Sequence, residues 1–249
     1  MVVHLYGVTT PDTKPPPEVK GRQDGELRLV ADDRLAVIVS DVDPDAPAAR
    51  KDLLAHAHVL EAYAEEATVI PMQFGIALPD DDIVREQVLE QDPESLADLL
   101  RSFDGLVQLT VQAFHHEEAA LREVLRRRPD LVAARERMRS FPEAATQARQ
   151  VELGQAVAEA LEDLQEEDRL MLLDDLAPLT RAVAENDTGG AHEILHAAFL
   201  VEREARPAFD EAVAELRRAH EERMRIRYVG PQPPYSFLEP MRSGELTWD

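Results

Sequence analysis

From Gly105 to Gly230 the apolar residues alternate between two spacings in a set order, and that order restricts the fold more than any other feature. "DGLVQLTVQAF" opposes Leu106, Gln108, Thr110 and Gln112 to Val107, Leu109, Val111 and Ala113, which predicts a strand. A long helical region is predicted from His116 to Glu167, broken at Pro129 and Pro142, where a proline opens each new segment. The missing proline N–H costs little there, because first-turn donors lack helical partners. "LLDDLAPLTRAVAEND" admits a strand near residues 179–184, "ENDTGG" is a turn, and "HEILHAAFLVE" is a mostly apolar strand. Phe209, Val213 and Leu216 then make a helical stripe. "RMRIRYVG" alternates again, with Met224, Ile226 and Tyr228 on one face and Arg225 and Arg227 on the other. Taken in order this is βαββαβ, two βα units sharing one antiparallel sheet, with a long, broken first helical region: the ferredoxin-like arrangement.

The first half reads as a second α+β unit. "VVHLYGV" is a strand, Pro15 to Pro17 impose a loop, and a hairpin turns at Asp32–Asp33 into the apolar run Leu35–Val39. Leu53, Leu54, Ala57, Leu60 and Ala64 have helical spacing within Ala48–Glu66. "ATVIPMQFGIAL" is a short strand broken by Pro71 and Gly75. Aspartates at residues 80–82 open a helix, and Pro93 begins a second helical piece. The expected organisation is an N-terminal α+β domain over residues 1–103, a C-terminal domain with its tail over 104–240, and a flexible end over 241–249.

The tail "GPQPPYSFLEP" fits neither a helix nor an interior strand. Pro231 is expected to stop the last strand, and Pro233–Pro234 to impose an extended path that drops Tyr235 and Phe237 into apolar gaps as a clasp.

Composition narrows the function. Fifty acidic against 27 basic residues leave a net charge of −23, which disfavours nucleic acid and anionic membranes as general partners. No cysteine is present, so disulfides and thiol catalysis are excluded. No apolar run approaches the roughly 20 residues of a membrane span, and the N-terminus lacks a basic n-region, so a cytoplasmic location is expected.

No catalytic motif stands out: there is no G-x-S-x-G elbow, Walker loop or G-x-G-x-x-G. His56 and His58, two apart on a helix, point to different faces and are expected at the surface or its edge. "HHEE", His115 to Glu118, has ligand chemistry but needs further ligands from the fold. His192 and His196, on a strand, lie about 13 Å apart. "EEDRLMLLDD" and "PDDDIVRE" are expected to be solvated helix ends, as is the basic island Arg126 to Arg128. The expectation is no enzyme, no metal and no cofactor.

Four stretches carry a family resemblance: "HLYGV", "HVLEAYAEEATVIPMQFGIAL", "FDGLVQLTVQAF" and "AAFLVEREARPAFDEAVAELRRAHEERMRIRYVGPQPPYSF". They resemble the gas vesicle accessory proteins GvpF and GvpL, whose segments read "T-V-L-P-x-R-F-G-T" and "GPWPPYSF". Gln73, Ile76 and Gln232 stand where that family usually has arginine, threonine and tryptophan. The matching positions are Pro71, Phe74, Gly75, Pro233, Pro234, Tyr235, Ser236 and Phe237, which the resemblance marks as structural or partner-binding. It implies a two-domain α+β protein with a ferredoxin-like C-terminal domain. It also implies a non-enzymatic minor vesicle component or assembly factor, at the vesicle surface or on an assembly intermediate. There it would bind the small hydrophobic shell protein, limit its aggregation and contact other accessory proteins. The alternatives are a scaffold without direct shell contact, or an enzyme built on a ferredoxin-like domain.

Overall fold

The computed structural model describes residues 1–138, 147–190 and 192–239. Pro142 and the end 241–249, to which expectations were attached, lie outside the described residues. Two compact units share the chain discontinuously. One holds residues 1–109 and 199–206 together with the chain from 229 onward; the other holds 110–198 and 207–228.

In the first unit β1 (Val2–Thr9) is the central strand, lying between β3 (Ala36–Val42) and β4 (Ile70–Pro71) in the sheet order β2-β3-β1-β4. The outer hairpin strand is β2 (Arg28–Ala31), and β5 (Ala77–Leu78) also pairs with β1. Every residue of β1 from Val3 to Thr9 is buried, as a strand covered on both faces must be. The β1–β3 register shifts between Leu5 and Gly7, so Tyr6 is the extra residue of a bulge. Gly7 is required by packing: a Cβ there would lie 2.7 Å from the Ile70 carbonyl oxygen and 2.9 Å from Val69 Cγ1. Tyr6, Ile38, Val59, Leu60, Tyr63 and Val69 form the core under helix α1 (Arg50–Ala64).

Helix α1 is rotated from the expected stripe. Leu53 and Leu54 are 50% and 58% exposed, whereas Asp52, His56, Val59, Leu60, Tyr63 and Ala64 are buried. Polar contacts set the rotation: the Asp52 carboxylate accepts the Ala49 N–H at 2.8 Å, and His56 engages His4 and the Met72 carbonyl. Helix α2 (Asp81–Val84) is capped by Asp80, whose carboxylate accepts the Ile83 N–H at 2.9 Å, and runs on as a π-turn over Arg85–Leu89. Helix α3 (Pro93–Ser102) carries proline in its first turn, and Asp92 accepts from Ser95 N–H.

The second sheet has the order β7-β8-β6-β9, built from β6 (Leu106–His115), β7 (Ala182–Glu185), β8 (Glu193–Glu202) and β9 (Met224–Gln232). The proline-punctuated region forms α4 (Glu117–Arg127), α5 (Pro129–Met138) and α6 (Gln147–Leu176). Ala120, Val124, Leu131, Ala160 and Leu164 pack these helices together. Helix α6 outlasts the expected end at Glu167, because Leu172 and Leu176 continue its buried stripe. Helix α7 (Arg206–His220) buries Phe209, Val213 and Leu216 as the spacing predicts.

Pro231 does not stop the last strand. β9 continues to Gln232, which the sheet tolerates because β9 is an edge strand and proline lacks only the ladder donor. Beyond it the tail folds into a 3-10 turn, Tyr235–Phe237, in place of the expected extended path. Residues two apart diverge on such a turn, so Phe237 is fully buried while Tyr235 is 42% exposed.

Candidate functional sites

In the first unit the sheet and α1 bring two histidines together. Met72 O is an acceptor only, so at 3.1 Å it fixes the proton of His56 on Nε2. His56 Nδ1 is then a lone pair, and His4 Nε2–H donates to it across 3.1 Å. That leaves His4 Nδ1 an unprotonated, buried acceptor without a partner. Tyr6 stacks on the His56 ring at 5.1 Å, and Phe74 meets His4 and His56 edge-on at 5.7 and 5.6 Å. Tyr6 Oη accepts the Arg22 N–H at 2.6 Å and shares a 2.8 Å bond with Ser40 Oγ. The buried Arg22 guanidinium lies 5.8 Å from the centre of the Phe74 ring, with Asp52 Oδ1 at 3.9 Å from Nε.

Both imidazoles are held neutral. Burial, aided by the neighbouring His56 and the Arg22 charge, pushes His4 down to about 4; burial also lowers His56. A second proton on His4 would fall on Nδ1, and the cost of burying that charge outweighs the pull of the Ile76 carbonyl. The cluster is a fixed chain of hydrogen bonds. The expectation that His56 lies at the surface is thereby corrected, while His58, on the other face of α1, is exposed.

The family-motif positions fall within this first unit. Pro71 sits in β4 opposite Gly7, Phe74 packs on the histidine pair, and Gly75 takes a φ of +100°, open to glycine at no steric cost. Gln73 and Ile76 are exposed beside them. Pro233, Pro234 and Phe237 are buried, and Ser236 N–H donates to the buried Gln108 side chain at 2.9 Å. Gly230 has a φ of +145°, and a Cβ there would lie 2.7 Å from Leu109 Cδ2.

This unit also has a cleft of about 410 Å³ bordered by Thr10, Lys14, Glu66, Asp104 and Arg203. Arg203 is committed to the end of α1: Nη1 donates to the carbonyls of Ala64 and Glu65 at 2.7 Å, and Nη2 to that of Ala67 at 3.2 Å.

In the second unit "HHEE" is split apart. His115 is buried and its Nε2–H donates to Asp168 Oδ2 at 2.7 Å, while Arg223 Nη2 donates to Asp168 Oδ1 at 2.7 Å. Asp168 thus ties α6 to the end of β6 and to the turn before β9. Glu117 and Glu118 are exposed at the start of α4, where acidic groups suit the helix dipole. His192 is exposed, 3.9 Å from Glu117 Oε2, and His196 is half-buried in β8. Asp168 corrects the reading of "EEDRLMLLDD" as wholly solvated. Its signal was present: Ala160, Leu164, Asp168, Leu172 and Leu176 recur every four residues on one helix face. His4 had no such signal.

The basic island is paired. Arg126 and Arg127 both reach Glu123, which they hold down at about 2, and Arg128 binds Asp130 at 2.8 Å. Among the described residues no three His, Asp or Glu side chains converge as metal ligands, and no helix is long and apolar enough to cross a membrane.

The molecule is thus of the two-unit α+β class, and Asp52, His56, Asp168 and Arg203 tie its strands and helices together. Residues 2–239 match the family model described as gas vesicle synthesis protein GvpL/GvpF, and the chain belongs to that family. It is 32% identical to gas vesicle protein F of Streptomyces sp. (strain CB03234) over 242 residues, which cover 96% of this chain and 100% of that one. The crystal structure of GvpF from Anabaena sp. PCC7120 superposes with a TM-score of 0.78 at 26% identity, covering 95% of this chain and 98% of that chain. GvpF from Microcystis aeruginosa shares the fold, with a TM-score of 0.72 at 23% identity and the same coverage.

Proposed function

We propose that this protein acts in gas vesicle assembly by binding the small hydrophobic shell protein and limiting its aggregation before the shell grows. The family match along nearly the whole chain carries this reading. The rotation of α1 supports it further, because that rotation leaves the adjacent Leu53 and Leu54 open at the surface of the first unit. Leu54 projects from the side of α1 away from the core and is the first candidate for an apolar contact. The strongly anionic chain around it would keep a complex with a sticky partner in solution. The role is non-enzymatic, at the vesicle or on assembly intermediates in the cytoplasm, and other accessory proteins are candidate neighbours.

Two finer structural readings belong with it. The strand succession βαββαβ, with the first strand β6 placed between β8 and β9, supports a ferredoxin-like second domain. The buried Phe237 and the Ser236–Gln108 bond support the tail as a clasp, with Phe237 as its anchor.

The test is co-expression with the shell protein, followed by affinity capture and in-cell crosslinking. The proposal expects shell subunits in the captured fraction and less of them after Leu53→Ser/Leu54→Ser. Crosslinks to other accessory proteins alone would favour a scaffold instead.

A further inference from the structure

Strand β9 is the edge of the second sheet, and within the second unit it presents Arg225 and Arg227 on the same side, both exposed. Phe114, half-buried on the neighbouring strand β6, lies beneath both: the guanidinium carbons are 5.1 and 5.6 Å from its ring centre. An aromatic face attracts a cation and restricts a flexible side chain, so the two forks are held ready.

Among the described residues neither guanidinium of this pair faces an acid, and both share one aromatic ring. Elsewhere in the same unit Arg126, Arg127, Arg128, Arg169, Arg218 and Arg223 all face carboxylates. Arg225 and Arg227 have no ion-pair partner among the described residues, in a chain of net charge −23. Beside them opens a cleft of about 290 Å³ lined by His116, Arg217, Arg218 and Arg225, with Glu221 as its one carboxylate. Arg217 is anchored there by donating to the Ile226 carbonyl at 3.1 Å. Cationic groups are therefore gathered along the β9 edge within the second unit.

We propose that the Arg225–Arg227–Phe114 shelf and the adjoining basic cleft dock an acidic, extended segment of a partner protein along β9. Carboxylates of the segment would take the two guanidinium forks, and an apolar side chain between them would rest on Phe114. Nucleic acid fits less well, because the rest of the chain repels a phosphate backbone. The rival structural role is edge protection, in which exposed arginines only discourage strand-to-strand aggregation.

The shelf is built from residues of the second unit and the α1 contact proposed for the shell protein from residues of the first, so its test uses no shell protein. The probe is a fluorescein-labelled peptide of about ten residues alternating Glu and Val, read by anisotropy at about 0.15 M salt, where charges beyond about 8 Å are screened. The intact protein should bind it in preference to a Lys–Val peptide of equal length. Arg225→Ala/Arg227→Ala should weaken binding about tenfold or more, while lysines at both positions restore part of the loss. Phe114→Leu should weaken it several-fold, and Arg126→Ala/Arg128→Ala should leave it unchanged. Equal affinity in the double alanine variant would overturn the proposal. So would aggregation of that variant with unchanged affinity per soluble monomer, or capture of a short single-stranded RNA in preference to the acidic peptide.

Discussion

Asp168→Ala is the sharpest test of how the second unit is held together. The carboxylate is 4% exposed and accepts two hydrogen bonds of 2.7 Å, from His115 Nε2 and Arg223 Nη2. Truncation leaves a buried imidazole N–H without an acceptor and a mostly buried guanidinium with only its 3.4 Å contact to His220 Nδ1. Removing one partner of a buried charged pair costs about 3–5 kcal/mol. Arg223 keeps some access to water, with its side chain 24% exposed, which argues for the lower end, about 3 kcal/mol. For a chain of this length that corresponds to a fall of roughly 6–12 °C in Tm. Asp168→Asn, which keeps one acceptor oxygen, should lose about half as much in free energy. The assay is urea unfolding followed by circular dichroism, with hydrogen exchange at the β6 and α6 amides to localise the change. A loss below about 1 kcal/mol for Asp168→Ala would refute the reasoning. The leucines of α6 would then hold the helix alone.

Other consequences are as direct. Because the folded-state pKa of His4 is depressed from 6.5 to about 4, the unfolded chain binds the extra proton first. The contribution of His4 to stability is therefore complete above about pH 6.5 and is lost as the pH falls towards 4. Unfolding midpoints measured from pH 4 to 8 should show that slope, and His4→Phe should flatten it. Gly7→Ala, whose Cβ would press on the Ile70 carbonyl, should cost about 2 kcal/mol or more in the same assay. Arg203→Ala frees three carbonyls at the end of α1 and should cost about 1–3 kcal/mol. Faster amide exchange in the last turn of α1 would report it locally.

Periodicity made much of this architecture legible. Alternation from Leu106 and from Met224, and the stripe Phe209–Val213–Leu216, correspond to β6, β9 and α7. The failures at α1 and Asp168 share a cause: polar residues turned inward by partners remote in sequence. Helix α1 follows Asp52 and His56 in place of Leu53 and Leu54, because Arg22, His4 and Met72 wait on other elements. Asp168 could have been found from its place among leucines, but its partners could not, since His115 and Arg223 lie more than fifty residues away on either side. The tail misled for a different reason. Its prolines forbid a helix or an interior strand, and edge placement of β9 lets Pro231 remain in the sheet.

The account rests on action by contact, and shell-protein solubility measures that most directly. Shell subunits should be expressed with and without this chain, and the soluble fraction compared after centrifugation. The account predicts that the chain raises the soluble fraction and sediments with it as a complex, and that Leu53→Ser/Leu54→Ser lowers both. A soluble fraction unchanged by the chain, with no complex recovered, would contradict it.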